Sequence, residues 1–178
     1  RRAHLCWQGR RKGGRLVADN SAADDVITVF LMDDHRNIVE GLIELASQDD
    51  HLRVVGYCFD GREMLEKVRQ LEPDVVVLDV SMPGMNGLEA CRQVKLSVPR
   101  TQVMMLTMHA SEGMVLAALR RGASGYLSKE SVGEFCDAIH RIHAGEICLG
   151  QGIPKALLER LDDAAAEMQR VSLNRPGG

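Results

Sequence analysis

Three acids, a hydroxyl and an amine recur at comparable places in this 178-residue sequence: Asp33 with Asp34, then Asp79, Thr107 and Lys129. All of them stand at or just beyond the end of a short apolar run. If those runs are neighbouring strands, the three carboxylates converge. Two like charges 4 Å apart repel by about 1 kcal/mol in water and about 4 kcal/mol at an effective dielectric of 20. Such a group stays ionised only around a cation. Hard oxygen donors favour Mg²⁺ over zinc, and Mg²⁺ keeps coordination positions open for water or a phosphate oxygen. Lys129 and Thr107 then supply a charge and a hydroxyl donor for a phosphoryl group. A carboxylate can also serve as nucleophile, giving an aspartyl-phosphate. Singly, each residue is ordinary: an Asp after a strand caps or turns, and a Lys is normally a solvated charge. The shared position in four separate units is what carries weight.

The elements that must position them are legible as apolar runs at 26–32, 53–58, 74–78, 102–106 and 125–127. They are rich in Val, Ile and Leu without clean alternation, as expected of strands buried on both faces. The intervals are long enough for the helical crossovers that parallel strands require. Asp60, Asn86 and Ser131 each precede a Glu by three positions, a helix-start signature. Gly122 and Gly145 follow basic or apolar helical stretches as stop signals. The prediction is a doubly wound (βα)₅ α/β domain over 26–146. In such sheets ligands bind beyond the carboxyl ends of the strands, where the five chemical residues fall.

Composition sets the outer bounds. The chain is 45% hydrophobic and 26% charged, with 17 Gly and 5 Pro, which fits a packed domain and excludes fibrous or mucin-like classes. No apolar run approaches the roughly 18 residues of a membrane span. The five cysteines are scattered without a C-x-x-C pair, which argues against a disulfide scaffold and for a cytoplasmic setting. The net charge is −3, but residues 1–15 hold six basic residues and no acid. The acidic remainder does not look like a nucleic-acid-binding body. Residues 1–25 read as a disordered basic tail rather than an arm for phosphate or lipid. Residues 147–178 read as a linker, with a helix at about 154–169 carried by Leu157, Leu161, Ala164 and Met168.

Four stretches, "LMDDH" (31–35), "VVVLDVSMPGMNGLEA" (75–90), "MMLTMH" (104–109) and "GASGYLSKES" (122–131), together resemble the receiver domain of two-component response regulators. The likeness is greatest to the LuxR/NarL/FixJ-like subfamily. The resemblance covers 26–146 and implies a flavodoxin-like fold with strand order 2-1-3-4-5. It implies that Asp79 is the phosphoacceptor, and that Mg²⁺ is held by Asp34 directly, by Asp33 through water, by Asp79 and by the backbone carbonyl of Ser81. Thr107 and Lys129 would contact the phosphoryl group, and Tyr126 would be the aromatic switch. Ser81 and His109 stand where the family tunes dephosphorylation. His35 beside the acids reads as a metal ligand by type, but by the resemblance as a helix-start residue near the site. Arg36 replaces a common Pro, and Glu130 follows the lysine where many receivers have Pro.

The implied partners are a sensor histidine kinase and, on phosphorylation, a second copy of the chain. DNA contact is expected only through a helix-turn-helix output domain of about 60 residues, which this sequence does not contain. No membrane partner is implied. The expected role is a phosphorylation switch rather than a metabolic enzyme. A haloacid-dehalogenase-class phosphatase is disfavoured because Ser81 stands where a second acid is needed. An unphosphorylated interaction module is disfavoured by the intact set of five residues. A flavodoxin-like cofactor binder lacks a phosphate-cradling loop after the first strand.

Overall fold

The computed structural model describes residues 26–82, 84–108, 111–151 and 153. The basic stretch 1–25, the expected helix at 154–169, Pro83 and His109 lie outside the described residues. Strands β1 (Ile27–Met32), β2 (Leu52–Cys58) and β3 (Val75–Asp79) alternate with helices α1 (Arg36–Ser47) and α2 (Gly61–Leu71). A two-residue antiparallel ladder, β4 (Ser81–Met82) and β5 (Met85–Asn86), precedes α3 (Gly87–Ser97). Then come β6 (Gln102–Thr107), α4 (Glu112–Arg120), β7 (Gly125–Ser128), a 3-10 helix (Lys129–Glu134), α5 (Phe135–His143) and β8 (Cys148–Leu149).

The main sheet runs β2-β1-β3-β6-β7-β8, with every pairing parallel. Its first five strands are the five apolar runs in the 2-1-3-4-5 order. Alternate residues along each strand point to opposite faces, and the core divides accordingly. Phe30, Val76, Leu78, Met105 and Tyr126 pack with α2, α3 and α4 through Met64, Val94 and Val115. Val29, Leu31, Val77, Leu106 and Leu127 pack with α1 and α5 through Leu42, Phe135, Ile139 and Ile142. Both faces being covered, the strands carry no polar alternation.

Local chemistry sets the helix ends. Asp60 and Asn86 accept hydrogen bonds from the N–H groups of Arg62 and Leu88, capping α2 and α3 as expected. Ser131 does not cap α5. It lies inside the 3-10 helix, whose cap is Ser128, and α5 begins only at Phe135 with no side-chain cap. Gly122 and Gly145 take positive φ after α4 and α5. At the amino edge of the sheet, Asp74 Oδ2 accepts from Thr28 N (2.8 Å) and Oγ1 (2.6 Å). Thr28 Oγ1 accepts from Asp74 N in return (2.9 Å), fixing β1 against β3.

The sixth strand was not expected. Cys148 N donates to Ser124 O and Gly150 N to Tyr126 O, each at 2.9 Å, so the chain leaving α5 is added to the sheet beside β7. Gly150 permits this approach, because a Cβ there would lie 2.8 Å from Leu127 Cδ1. Beyond it, Ile153 is buried in the cluster that contains Tyr126 and Val115.

A side-chain hydrogen bond joins α5 to the turn after α1: His140 Nε2 lies 2.8 Å from Asp49 Oδ2. That contact and the His51 N–H hold the Asp49 carboxyl below its ordinary 3.8. A depressed carboxyl stabilises the fold above its unfolded value and loses the contribution as pH falls through the folded one. Asp49→Asn is therefore expected to lower the thermal midpoint near neutral pH, by a difference that shrinks below pH 3.8. Midpoints measured across the acid range check this, and a difference undiminished in strong acid contradicts it.

Candidate functional site

Because the strands are parallel and in register, their last residues share one edge. Met32 is level with Leu78, Asp79 with Leu106, and Thr107 with Ser128. Asp33 follows β1, Asp79 ends β3, Thr107 ends β6 and Lys129 follows β7. The open crevice of a doubly wound sheet lies at this edge. Here His35, Asp79, Ser81, Thr107, Met108, Met114 and Lys129 line a cavity of about 240 Å³.

At its floor is a buried ion network. Lys129 Nζ lies 2.7 Å from Asp33 Oδ2 and 3.1 Å from Asp79 Oδ2, and all three side chains are at most 3% exposed. The other oxygen of Asp33 accepts from the backbone N–H of His35 at 2.8 Å. The His35 ring brings Nδ1 to 3.1 Å from Asp33 Oδ1 and 2.9 Å from Asp34 Oδ1. Burial and the neighbouring Asp33 charge push the Asp79 carboxyl above its ordinary range, against the opposing pull of Lys129 and the Ser81 N–H.

Asp33, Asp34 and Asp79, with His35, can each present a ligand atom within 4.8 Å of the others. The donor set fits a divalent ion for a further reason. Asp34 Oδ1 is buried and accepts no hydrogen bond, and Asp33 Oδ2 has only the ionic contact to Lys129 without hydrogen-bond geometry. Carboxylate oxygens left without donors are the acceptors a hard cation would satisfy.

The remaining expected residues occupy different positions. Thr107 is 3% exposed and lines the cavity. Ser81 meets Asp79 through its N–H, which donates to the carboxylate. Tyr126 is buried on the α4 face of β7 rather than in the cavity. Burial raises its phenol against an opposing effect of the Thr107 hydroxyl, and the Tyr126 hydroxyl is itself buried without a hydrogen bond of ordinary geometry. Met108 and Met114 at the cavity mouth were not singled out from sequence. Met108 only follows Thr107, and Met114 reaches the site from α4 without any motif to mark it.

The response regulator receiver domain pattern matches residues 29–140 of the chain. The chain belongs to the response regulator receiver family. This receiver is 36% identical over 148 residues to the DNA-binding transcriptional activator DevR/DosR of Mycobacterium tuberculosis, covering 83% of the chain and 68% of that protein. It is 33% identical over 144 residues to the nitrate/nitrite response regulator protein NarL of Escherichia coli, covering 80% and 67%. It thus spans about two thirds of these relatives. Among solved structures, the signal receiver domain of the putative response regulator NarL from Mycobacterium tuberculosis superposes with a TM-score of 0.65 at 32% identity, covering 68% of this chain and 99% of that one. The receiver domain is a two-component signalling module, and the flavodoxin-like fold is shared with these structures. Among the described residues, no helix is long and apolar enough to cross a membrane.

Two stability effects follow from this geometry. Gly87 starts α3 directly under the end of β3, and an added Cβ would overlap the Asp79 carbonyl oxygen and come within 2.8 Å of Val80 Cα. Gly87→Ala is expected to cost about 1–3 kcal/mol as the helix shifts, read as a lower urea midpoint. Asp79→Asn removes a desolvated charge beside Asp33, while Lys129 keeps its Asp33 partner. In buffer free of divalent ions its urea midpoint should rise above wild type, and a fall would contradict this account.

Proposed function

We propose that Asp79 accepts a phosphoryl group from the phospho-imidazole of a sensor histidine kinase. The observation that carries the reading is the buried Lys129 ammonium shared by Asp33 and Asp79 at the floor of a cavity that Thr107 also lines. An Asp79 oxygen attacks phosphorus in line, the phosphorus–nitrogen bond breaks, and its electron pair stays on the departing imidazole. Lys129, already 3.1 Å from Asp79 Oδ2, neutralises charge on the transferred group, and the Thr107 hydroxyl donates to one of its oxygens.

Asp33, Asp34, Asp79 and the Ser81 carbonyl are the residues that would hold Mg²⁺. When bound, the ion screens the carboxylates from one another and from the incoming phosphoryl oxygens. Ser81, two residues beyond Asp79, leaves room for a water that later hydrolyses the acyl phosphate, so the module resets itself.

Phosphorylation adds a charge of about −1.5 to −2 at the end of β3. Thr107 is drawn toward it, and Tyr126 on the neighbouring strand β7 moves with the vacated space. The α4–β7–α5 surface then shifts between two populations, which serves pairing with a second copy and control of transcription through an output domain.

Acetyl phosphate with Mg²⁺ is expected to add the mass of one phosphoryl group to the wild-type chain and none to Asp79→Asn. Lys129→Met should take up the group but show a much weaker response in the Tyr126 resonances. Equal labelling of wild type and Asp79→Asn would falsify the phosphoacceptor assignment.

A further inference from the structure

A second group of ligand-type side chains lies at the amino edge of the sheet, a strand's length of about 20 Å from the Asp79 cavity. Cys136 and His140 stand on α5 at a spacing of i and i+4, which places them on one helix face. Both reach the end of α1 and the turn behind it. Cys136 Sγ donates to Leu45 O at 3.6 Å, and His140 Nε2 meets Asp49 Oδ2 at 2.8 Å. Two residues on, the exposed His51 packs its ring edge-on against that of His140, with centroids 6.4 Å apart. Burial, and to a smaller extent the Asp49 charge, push the Cys136 thiol above its ordinary range.

A thiol, two imidazoles and a carboxylate are the donor types of a tetrahedral zinc site. They come as two short chelating pairs, Asp49-x-His51 from the turn and Cys136-x₃-His140 from the helix. Two imidazoles on one tetrahedral ion hold their centroids about 5 Å apart, so the rings stand roughly 1 Å from closure. The side chains are free to make that step. His51 is exposed, and the His140 and Asp49 side chains are 39% and 22% exposed. Cys136 must turn away from Leu45 O, but an S–H is a weak donor. The carbonyl it leaves still accepts from Gln48 N at 3.2 Å, so no buried group is orphaned.

We propose that Asp49, His51, Cys136 and His140 bind a Zn²⁺-class ion that clasps α5 to the turn after α1. The site is separate from the phosphoacceptor edge and does not depend on the reading given under Proposed function. On binding, the Cys136 S–H bond breaks, its proton leaves to solvent and the thiolate sulfur bonds the metal. A thiolate and two imidazoles suit zinc and reject Mg²⁺. The two edges of the sheet therefore select different ions.

The test uses the full, untagged and reduced chain, with Co²⁺ as the optical probe and excess Mg²⁺ present to compete at the Asp33–Asp34–Asp79 cluster. Wild type should show the intense d–d bands of tetrahedral Co²⁺ and a thiolate-to-cobalt charge-transfer band, both removed by equimolar Zn²⁺. Cys136→Ser should lose the charge-transfer band. Zn²⁺ affinity, read by chelator competition, should fall at least about tenfold in His51→Gln, Asp49→Asn and His140→Gln. Zn²⁺ should raise the thermal midpoint of wild type and not that of Cys136→Ser. His51→Gln changes an exposed side chain and keeps the test decisive if a more buried variant fails to fold, which circular dichroism reports. A wild-type chain without the tetrahedral spectrum overturns the proposal. So does a charge-transfer band that survives in Cys136→Ser, or a Zn²⁺ affinity unchanged in His51→Gln.

Discussion

The ammonium of Lys129, at most 3% exposed and held between Asp33 and Asp79, is the constraint around which the rest of this receiver is arranged. Removing such a charge from water costs several kcal/mol, and only well-placed opposite charges offset it. The two carboxylates come from the ends of β1 and β3, and the lysine comes from beyond β7, with β6 between. Four strand ends must therefore be level for the network to close. The strand register meets that demand, and the packing on both faces of the sheet, each residue alternating between the two clusters, keeps it met.

The network is unbalanced by design of its residues. Three carboxylates face one ammonium and one imidazole, and the Asp79 carboxyl is raised by burial and by Asp33 despite the lysine. A site in this state is poorly stabilised as it stands and gains from any added positive charge. The backbone offers little slack with which to relax it. Gly87 places the start of α3 against the carbonyl of Asp79 with no room for a side chain, and its N–H donates to Val80 O at 3.2 Å. The end of β3 is thereby wedged between the helix that follows and the strands on either side.

Much of this was legible in the residues. Five apolar runs too uniform for a half-exposed sheet gave the parallel core, and acids placed at run ends gave the meeting of Asp33, Asp34, Asp79 and Lys129. What escaped was chemistry that depends on non-local geometry. Ser131 and Glu134 have the spacing of a cap, but Lys129–Glu134 forms a 3-10 helix capped by Ser128, and α5 starts later. Glu63 and Glu89, three positions after their caps, pair forward along the helix with Lys67 and Arg92. His35, placed beside the acids from sequence, is found in contact with Asp33 and Asp34, but a two-residue strand such as β8 or the β4–β5 ladder has no periodic signal. The roles of the site residues in phosphoryl transfer rest on the resemblance and the proposal above.

The short β8 strand has a mechanical consequence. Its neighbouring N–H groups grip the carbonyls of Ser124 and Tyr126, on either side of Gly125, and Ile153 is lodged beside the Tyr126 ring's own cluster. The strand so gripped is the one that ends at Ser128, next to the buried lysine. The β8 strand is thus riveted to the beam that carries the charged end. Any axial slide or roll of that beam is passed on to β8, as a splint transmits torque.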